Sequence, residues 1–257
     1  MKKIMLKRED IYNGNLILVN GQYPCMKTDA EHTLSPVYPA ANGVLLEANA
    51  VKILSCVIEK LGAWKQIRAV SGWRSEREQQ EIYTQSLKDN GAVFTKKYVA
   101  LPGHSEHQTG LAIDLAKEQA NIDFLCPDFP YVGICQAFRE QVISYGFIER
   151  YLKSKEIITG IAHEPWHFRY VGVPHAQIMV KHNFVLEEYI HFLKSYPYNG
   201  NHYHFRLKDT CIDVSYLEAE KETDTYIEID DNISYSVSGN NIDGYIITEW
   251  RMRNEKQ

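Results

Sequence analysis

Two short segments of this sequence contain the side chains that a hydrolytic metal site requires. The first reads S-E-H-Q-T-G-L-A-I-D and contains His107 and Asp114, and the second reads H-E-P-W-H and contains Glu164 and His167. Two imidazoles and one carboxylate can hold Zn²⁺ while a fourth position stays open for water, and a further carboxylate can accept that water's proton. The residues therefore predict a catalytic zinc site, in which the two histidines and Asp114 bind the metal and Glu164 handles the proton.

The second segment has the letters of the helical H-E-x-x-H motif of zinc metalloproteases, but it contains a proline. Pro165 would remove a helical hydrogen bond and clash with the preceding turn, at a cost of about 3 kcal/mol. The residues that follow, 168–174, have the composition of a strand. We therefore predict that Glu164 and His167 lie at the start of a strand, and that His163 is not a ligand.

A single histidine is more often a surface residue or a satisfied core residue than a metal ligand. The first segment favours a ligand, because Gly110 and the apolar run 111–113 lead into Asp114 in the pattern of a turn followed by a buried strand. A buried carboxylate is costly unless it is paired or bound to a metal. We therefore expect a cation beside Asp114.

Arg74 is a further candidate, in the segment V-S-G-W-R-S. It lies where a predicted strand turns into a helix that Ser75 can cap. An exposed ion pair, which contributes little, is the ordinary role of such an arginine. In a zinc peptidase, a guanidinium placed here would instead stabilise the oxyanion that forms on the scissile carbonyl.

Four blocks of the sequence together resemble a known family. They are S-G-W-R-S, then P-G-H-S-E-H-Q-T-G-L-A-I-D, then G-F-I-E-R-Y, and finally T-G-I-A-H-E-P-W-H-F-R-Y-V-G. Their order and spacing are similar to those of the zinc D,D-peptidases of the VanY, VanX and VanXY type, over about residues 45–195. Leu152 departs from the pattern, because many relatives have proline at that position.

The resemblance implies the same zinc ligands and the same base, and it implies that Arg74 holds the scissile carbonyl oxygen. It also implies a pocket for a D-Ala-D-Ala unit, with polar contacts and one apolar wall beside the methyl groups. The residues that match the family's pocket positions are Gln79, Ser105, Tyr151 and Trp166. The segment 119–130 is a candidate for a loop that covers this pocket.

Features outside the motifs bear on where the protein acts. The N-terminus has no apolar run long enough for a signal peptide, and no stretch approaches the length of a membrane span. The five cysteines are scattered, which is typical of reduced thiols. These features predict a cytoplasmic protein. Within the resembling family, they favour VanXY-like activity on both the D-Ala-D-Ala dipeptide and the muramyl pentapeptide precursor, with glycopeptide (vancomycin) resistance as the consequence.

Two alternative functions remain open from the sequence. The same zinc scaffold serves endopeptidases and lysins that cleave peptidoglycan, and a zinc-containing domain can also bind without catalysing a reaction. Glu164 and Arg74 argue against the second alternative, since a binding module needs neither. A net charge of −5 and a pI near 6.1 do not indicate the excess of positive charge that is typical of nucleic-acid-binding proteins. Nothing in the sequence indicates an oligomeric state.

The elements that would position these residues are those of an α+β fold, in which helices flank a small antiparallel sheet. Apolar residues at helical spacing predict a helix at 44–61, and the sequence further predicts a polar helix at 76–88, helices at 129–145 and 176–196, and strands at 16–19 and 66–70. The tripeptide 89–91 should end the second helix.

The C-terminal part has a different pattern, with short alternating segments and turn signals. The predicted strands are 203–207, 212–216, 225–229, 233–237 and 245–250. We therefore predict two domains: a catalytic domain at residues 1–196 and a small β-rich appendage at residues 197–257. The appendage is expected to brace the catalytic domain more readily than to bind a ligand.

Overall fold

The computed structural model describes residues 1–26, 33–37 and 43–252. Its helices are α1 (Ala48–Lys60), α2 (Glu76–Tyr98), α3 (Gly133–Val142), α4 (Glu156–Thr159), α5 (His175–His182) and α6 (Leu186–Leu193). Its strands are β1 (Lys2–Leu6), β2 (Leu34–Pro36), β3 (Leu45–Glu47), β4 (Ile67–Ser71), β5 (Ala112–Lys117), β6 (Phe147–Tyr151), β7 (Glu164–Tyr170), β8 (Tyr203–Leu207), β9 (Thr210–Glu218), β10 (Thr225–Ile229), β11 (Ser234–Gly239) and β12 (Gly244–Met252). In the described part of the chain, none of the helices has the length and apolar character that a bilayer crossing requires.

The chain forms two compact units, Val19–Val185 and a second unit made of Met1–Leu18 with Leu186–Gln257. The predicted boundary at residue 196 differs from this division at both ends. Strand β1 pairs antiparallel with β10, so the N-terminal residues belong with the β-rich unit, and α6 belongs there too. Local periodicity cannot reveal a pairing between strands that lie at opposite ends of the sequence.

The first unit is built on the antiparallel sheet β4-β5-β7-β6, as the α+β prediction requires. One face of this sheet packs on helix α3, where the rings of Phe129, Phe138 and Phe168 meet edge to face at 5.1–5.8 Å. Successive residues of a strand point to opposite faces. The other face of the central strands is therefore left for the polar residues of the site.

The start of α2 confirms the predicted cap. The Ser75 hydroxyl accepts a hydrogen bond from the backbone N–H of Glu78, and the Glu78 carboxylate accepts one from the backbone N–H of Ser75. Gly91, with φ of 77°, interrupts the helix where the break was predicted. The helix does not end there, because residues 92–98 resume helical structure.

Three further predictions of helix bounds are corrected by the structure. Residues 45–47 form a strand, so α1 begins at Ala48, and residues 129–132 are not helical, so α3 begins at Gly133. The predicted helix at 176–196 is divided into α5 and α6, because Asn183 takes a left-handed conformation with φ of 53°. An apolar period of about 3.6 does not show where such a residue ends a helix.

The second unit contains the antiparallel sheet β11-β12-β9-β8 and the pair β1-β10. Its core includes Leu6, Ile11, Ile227, Ile229, Tyr245 and Ile247. The predicted C-terminal strands are all present, and their bounds agree with the prediction to within a few residues.

The strand predicted at 16–19 is absent. These four residues are buried, but the amide of Leu16 donates to the Ser238 hydroxyl and that of Leu18 to the Asn240 carbonyl. Burial, not strand pairing, explains this apolar run. All five cysteines are free, as predicted.

Candidate active site

Asp114 and His167 are brought together by strand register. They lie directly opposite each other in the antiparallel pairing of β5 with β7. Side chains at such positions share a face of the sheet, with their Cβ atoms about 4.5–5.5 Å apart. Oδ1 of Asp114 is accordingly 2.9 Å from Nδ1 of His167. The neighbouring opposed pair, Ile113 and Phe168, is buried in the core.

His107 reaches the same carboxylate from a 3-10 turn, Glu106–Thr109, that precedes β5. Its Nε2 lies 3.2 Å from Oδ2 of Asp114, and its Nδ1 lies 2.6 Å from the carbonyl oxygen of Gly72. A carbonyl only accepts hydrogen bonds, so Nδ1 is the protonated nitrogen and Nε2 presents its lone pair to the site. Gly110 ends the turn with φ of 74°. His107, Asp114 and His167 each offer one donor atom, all within 4.8 Å of one another.

Glu106, which was not predicted as a site residue, lies next to the ligand candidate His167. Its side chain is fully buried, with Oε2 3.5 Å from Nε2 of His167. Oε1 lies 2.8 Å from Nε of Arg150 and 3.0 Å from Nη1 of Arg169. Burial alone would raise the pKa of Glu106, but the two guanidinium groups hold that pKa well below its ordinary value. An anion therefore faces the nitrogen of His167 that points away from Asp114.

A signal for Glu106 was present in the sequence. Arg150 and Arg169 lie in the blocks G-F-I-E-R-Y and H-F-R-Y, both of which are apolar enough to be buried strands. Buried arginines require anionic partners. An acid beside a ligand histidine was the natural candidate for that partner.

Glu164 is the first residue of β7, and its carboxylate is buried beside the cluster. Its Oε2 lies 3.8 Å from Nδ1 of His167. Burial raises the pKa of Glu164 to about 8, against the opposing effect of His167. A carboxyl group with a pKa near neutral pH is suited to take up a proton and to release it again.

Pro165 confirms that the second motif is not helical. It lies within β7, next to a register shift in β6 between Glu149 and Tyr151. At such an irregularity a proline can occupy a strand without breaking the hydrogen-bond ladder. The carbonyl oxygen of Pro165 accepts a hydrogen bond of 2.6 Å from Nη2 of Arg139, which fixes the backbone beside Glu164.

His163 lies outside the group of metal-binding donors among the described residues. Its Nε2 is 2.7 Å from the Tyr131 hydroxyl, and its ring stacks on that of Tyr131. The Tyr131 hydroxyl also hydrogen-bonds to Glu149. This placement agrees with the prediction that His163 is not a ligand.

Arg74 lies immediately beside the cluster. Its Nη2 is 3.0 Å from Oδ2 of Asp114, and its Nε donates to the Ser71 hydroxyl at 2.8 Å. The Gln79 amide oxygen accepts from Nη1 at 3.3 Å, while the Gln79 amide nitrogen donates to the carbonyl of Ala100 at 2.8 Å. Gln79 is fully buried and lines the cavity, and it also holds Arg74 in place.

These side chains line one cavity of about 40 Å³. The cavity is lined by the predicted site residues, and Phe124 and Leu125 of the segment 119–130 contribute to it as well. The ring of Phe124 lies 5.4 Å from the guanidinium of Arg74. The predicted site residues in the lining are Arg74, Gln79, Ser105, His107, Asp114, Tyr151, Glu164, Trp166 and His167.

The donor set fits a zinc ion chemically. Burial, with the nearby charge of Arg74, lowers the pKa of His107 to about 4, so this imidazole is neutral near pH 7. Burial acts in the same direction on His167, but its hydrogen bonds with Asp114 and Glu106 raise the pKa to about 9. A metal ion at Nδ1 of His167 would displace that proton. Two imidazoles and a carboxylate are a common ligand set for catalytic zinc.

Comparison with known proteins agrees with this geometry. Residues 46–173 match the VanY family, described as D-alanyl-D-alanine carboxypeptidase. The bifunctional D-Ala-D-Ala dipeptidase and D-Ala-D-Ala carboxypeptidase VanXYC of Enterococcus gallinarum is 42% identical over 181 residues, which cover 70% of this chain and 95% of that protein.

Two solved structures are also similar. The vancomycin resistance D,D-dipeptidase VanXYg, in complex with a D-Ala-D-Ala phosphinate analog, superposes with a TM-score of 0.94 and 50% identity, covering 97% of this chain and 99% of that one. The D,D-pentapeptidase VanY of a VanB-type resistance cassette, in complex with Zn(II), has a TM-score of 0.57 and 30% identity, covering 68% of this chain and 98% of that one. The chain therefore belongs to the VanY family of D-alanyl-D-alanine carboxypeptidases.

Proposed function

We propose that this protein is a zinc-dependent D,D-peptidase that hydrolyses the D-Ala-D-Ala dipeptide and removes the terminal D-Ala of the muramyl pentapeptide precursor. The observation that carries the proposal is the convergence of His107, Asp114 and His167 within 4.8 Å, with Glu164 beside them in one cavity. The similarity to a bifunctional D,D-peptidase, to a D,D-dipeptidase and to a zinc-bound D,D-pentapeptidase supports the substrate, the reaction and the metal.

His107, Asp114 and His167 would hold the zinc ion, which when bound polarises the substrate carbonyl and lowers the pKa of a water molecule. Glu106 would keep His167 in one orientation. A carboxylate opposite Nε2 favours a proton on Nε2, so the lone pair of Nδ1 is left to bind the metal. The carbonyl of Gly72 likewise accepts from Nδ1–H of His107, so the lone pair of Nε2 is left to bind the metal.

Glu164 would act as the proton carrier. Its carboxylate accepts the proton of the attacking water and later returns it to the amine of the departing D-alanine. The buried position of this carboxylate and its raised pKa support both steps.

Arg74 would donate N–H groups to the carbonyl oxygen of the scissile bond as negative charge develops there. Its ion pair with Asp114 keeps the guanidinium at the edge of the cluster, and its contacts with Ser71 and Gln79 fix its direction. Ser105, Tyr151 and Trp166 would contact the D-Ala-D-Ala unit, with Trp166 beside a methyl group.

The proposed place of action is the cytoplasm, where the soluble dipeptide and the precursor would be substrates. Loss of precursors that end in D-Ala-D-Ala would deprive glycopeptide antibiotics of their target, so the proposed biological effect is vancomycin resistance. Fractionation of cells that express the protein tests the location, and the minimum inhibitory concentration of vancomycin tests the effect.

The reaction itself is tested by measuring D-alanine release from the dipeptide and from the muramyl pentapeptide, and by measuring the release of soluble fragments from intact peptidoglycan. The proposal predicts release from the dipeptide and from the pentapeptide. Cleavage confined to cross-linked peptidoglycan would favour the endopeptidase alternative, and binding of zinc without turnover of any substrate would favour a binding module.

A further inference from the structure

A second cavity, of about 380 Å³, adjoins the candidate active site within the unit Val19–Val185. The linings of the two cavities share Val99, Ala100, Tyr151 and Ile161, so the cavities lie directly side by side. The catalytic cavity is about 40 Å³ and the second is far larger. A substrate that extends beyond the two residues of the scissile bond therefore has space on this side.

One wall of the second cavity is formed by the segment 99–104, which is held by several hydrogen bonds. The Ala100 carbonyl accepts from Gln79 at 2.8 Å, and the Gly103 carbonyl accepts from the backbone N–H of Cys25 at 2.7 Å. His104 pairs through Nδ1 with the carbonyl of Asn20 at 2.8 Å. These bonds give the cavity a wall that exists before a ligand binds, as is usual for ligand sites.

The part of α2 that follows the interruption at Gly91 also contributes to the lining. The helix resumes with Ala92, and this second part turns Ala92 and Lys96 toward the cavity lining. Near the end of this part, the Lys97 carbonyl accepts a hydrogen bond of 2.9 Å from the backbone N–H of Ala162, the residue that follows the lining residue Ile161. The break at Gly91 therefore determines where Ala92 and Lys96 lie in the lining of the second cavity.

The lining combines apolar surface with a positive charge. Leu101 contributes an apolar side chain that is 48% exposed. Tyr83 and Ile161 add further apolar area, and Lys96 supplies a cation among the described lining residues. Such a surface suits a short peptide that has small apolar groups and a carboxylate.

We propose that this second cavity binds the peptide residues that precede the scissile bond in substrates longer than the dipeptide. The inference rests on the proposed function, because a substrate whose C-terminal residue is removed can extend only toward its N-terminus. Lys96 pairs with a carboxylate of that segment, and Leu101 and Tyr83 cover its apolar groups. The dipeptide leaves the second cavity empty, so the cavity distinguishes the two proposed activities of one active site.

Two substitutions test the inference, each with a matched control. Lys96→Glu reverses the charge in the lining, and Lys88→Glu makes the same change on the same helix outside it. Ala92→Trp fills the cavity, and Val93→Trp places the same bulk at the next position, which is 78% exposed and outside the lining. The measurement is kcat and KM for the muramyl pentapeptide and for D-Ala-D-Ala.

For Lys96→Glu and Ala92→Trp we expect kcat/KM on the pentapeptide to fall by about tenfold or more, mainly through KM, because binding away from the reacting bond is lost. Hydrolysis of D-Ala-D-Ala should stay within about twofold of the parent enzyme, and both controls should behave like the parent. Equal losses on both substrates, or no loss on the pentapeptide, would overturn the inference. If the parent enzyme hydrolyses neither substrate, the proposed function fails instead, which is a distinct outcome.

Discussion

Glu164 is placed where its protonation can change during the reaction, and its roles can be separated from metal binding. We predict that Glu164→Gln lowers kcat for D-Ala-D-Ala by about 10³-fold, because proton transfer by a positioned group commonly contributes 10²- to 10⁴-fold. Zinc content, measured by elemental analysis, should stay at one ion per chain, since Glu164 is not among the donor atoms. A variant that hydrolyses the dipeptide at nearly the parent rate would remove Glu164 from the mechanism.

His107 and His163 provide a contrast between two histidines in the motif segments. His107→Ala should lose zinc in elemental analysis, because one of the three donors is removed. His163→Ala should keep it, because His163 faces Tyr131. Loss of metal in both variants would show that the second motif contributes both of its histidines.

Glu106 is proposed to position His167 without touching the substrate. Glu106→Gln should weaken zinc binding by about 10- to 100-fold in a chelator competition, which is the usual effect of losing such a supporting carboxylate. Glu106→Asp should recover part of the affinity, because it restores the charge.

The two buried arginines make misfolding of Glu106→Gln a concern, so the parent protein offers a second measurement. The ¹⁵N shifts of His167 in the zinc-loaded parent should show a protonated Nε2 and a metal-bound Nδ1. The reverse assignment would contradict the role given to Glu106.

At the scale of elements, the turn that carries His107 depends on a left-handed glycine. Gly110 has φ of 74°, and a Cβ there would lie 3.1 Å from Cδ2 of Leu34 and 3.4 Å from the backbone nitrogen of Glu47. Gly110→Ala should reduce the free energy of unfolding by about 1–2 kcal/mol, the cost of this conformation for other residues, and should also weaken zinc binding.

The matched control is Gly133→Ala. Gly133 also has positive φ, 58°, but a Cβ added there would meet no described atom within 4 Å, and the residue has no role in the site. It should show the loss of stability in thermal or denaturant unfolding without the loss of zinc affinity. Equal zinc binding in the two variants would mean that the Gly110 turn does not control His107.

The elements also show what a sequence can predict. The capped start of α2, the strand that carries Asp114 and the non-helical second motif could all be predicted, because Ser75, the apolar run before Asp114 and Pro165 act through local geometry. The pairing of Asp114 with His167 could not, because register depends on contacts between distant segments. For Glu106, the two arginines signalled a buried acid, but its contacts with two other strands depend on the same distant pairing.

At the scale of the whole molecule, the division of the chain leads to a prediction about truncation. The described site residues all lie in Val19–Val185, and the bifunctional relative VanXYC aligns with 70% of this chain. We predict that residues 19–185 alone bind zinc and hydrolyse D-Ala-D-Ala. Activity of the purified fragment and its zinc content measure this, and a folded fragment that binds zinc without hydrolysing the dipeptide would assign a catalytic role to the β-rich unit.

The fragment 1–196 is the informative comparison. It keeps β1 but removes its partner β10, and it leaves Leu6 and Ile11 without the rest of their core. We expect it to aggregate more and to unfold at a lower temperature than residues 19–185, because it exposes apolar surface and an unpaired strand edge. A more stable 1–196 would support the boundary predicted from sequence periodicity.

The most direct test of the central claim is hydrolysis of D-Ala-D-Ala before chelation, after chelation and after zinc is restored. His107, Asp114 and His167 provide the donors and Glu164 the base, so we predict that D-alanine release stops when the metal is removed and returns with about one equivalent of zinc per chain. Hydrolysis that continues at the same rate in the metal-free protein would contradict the account.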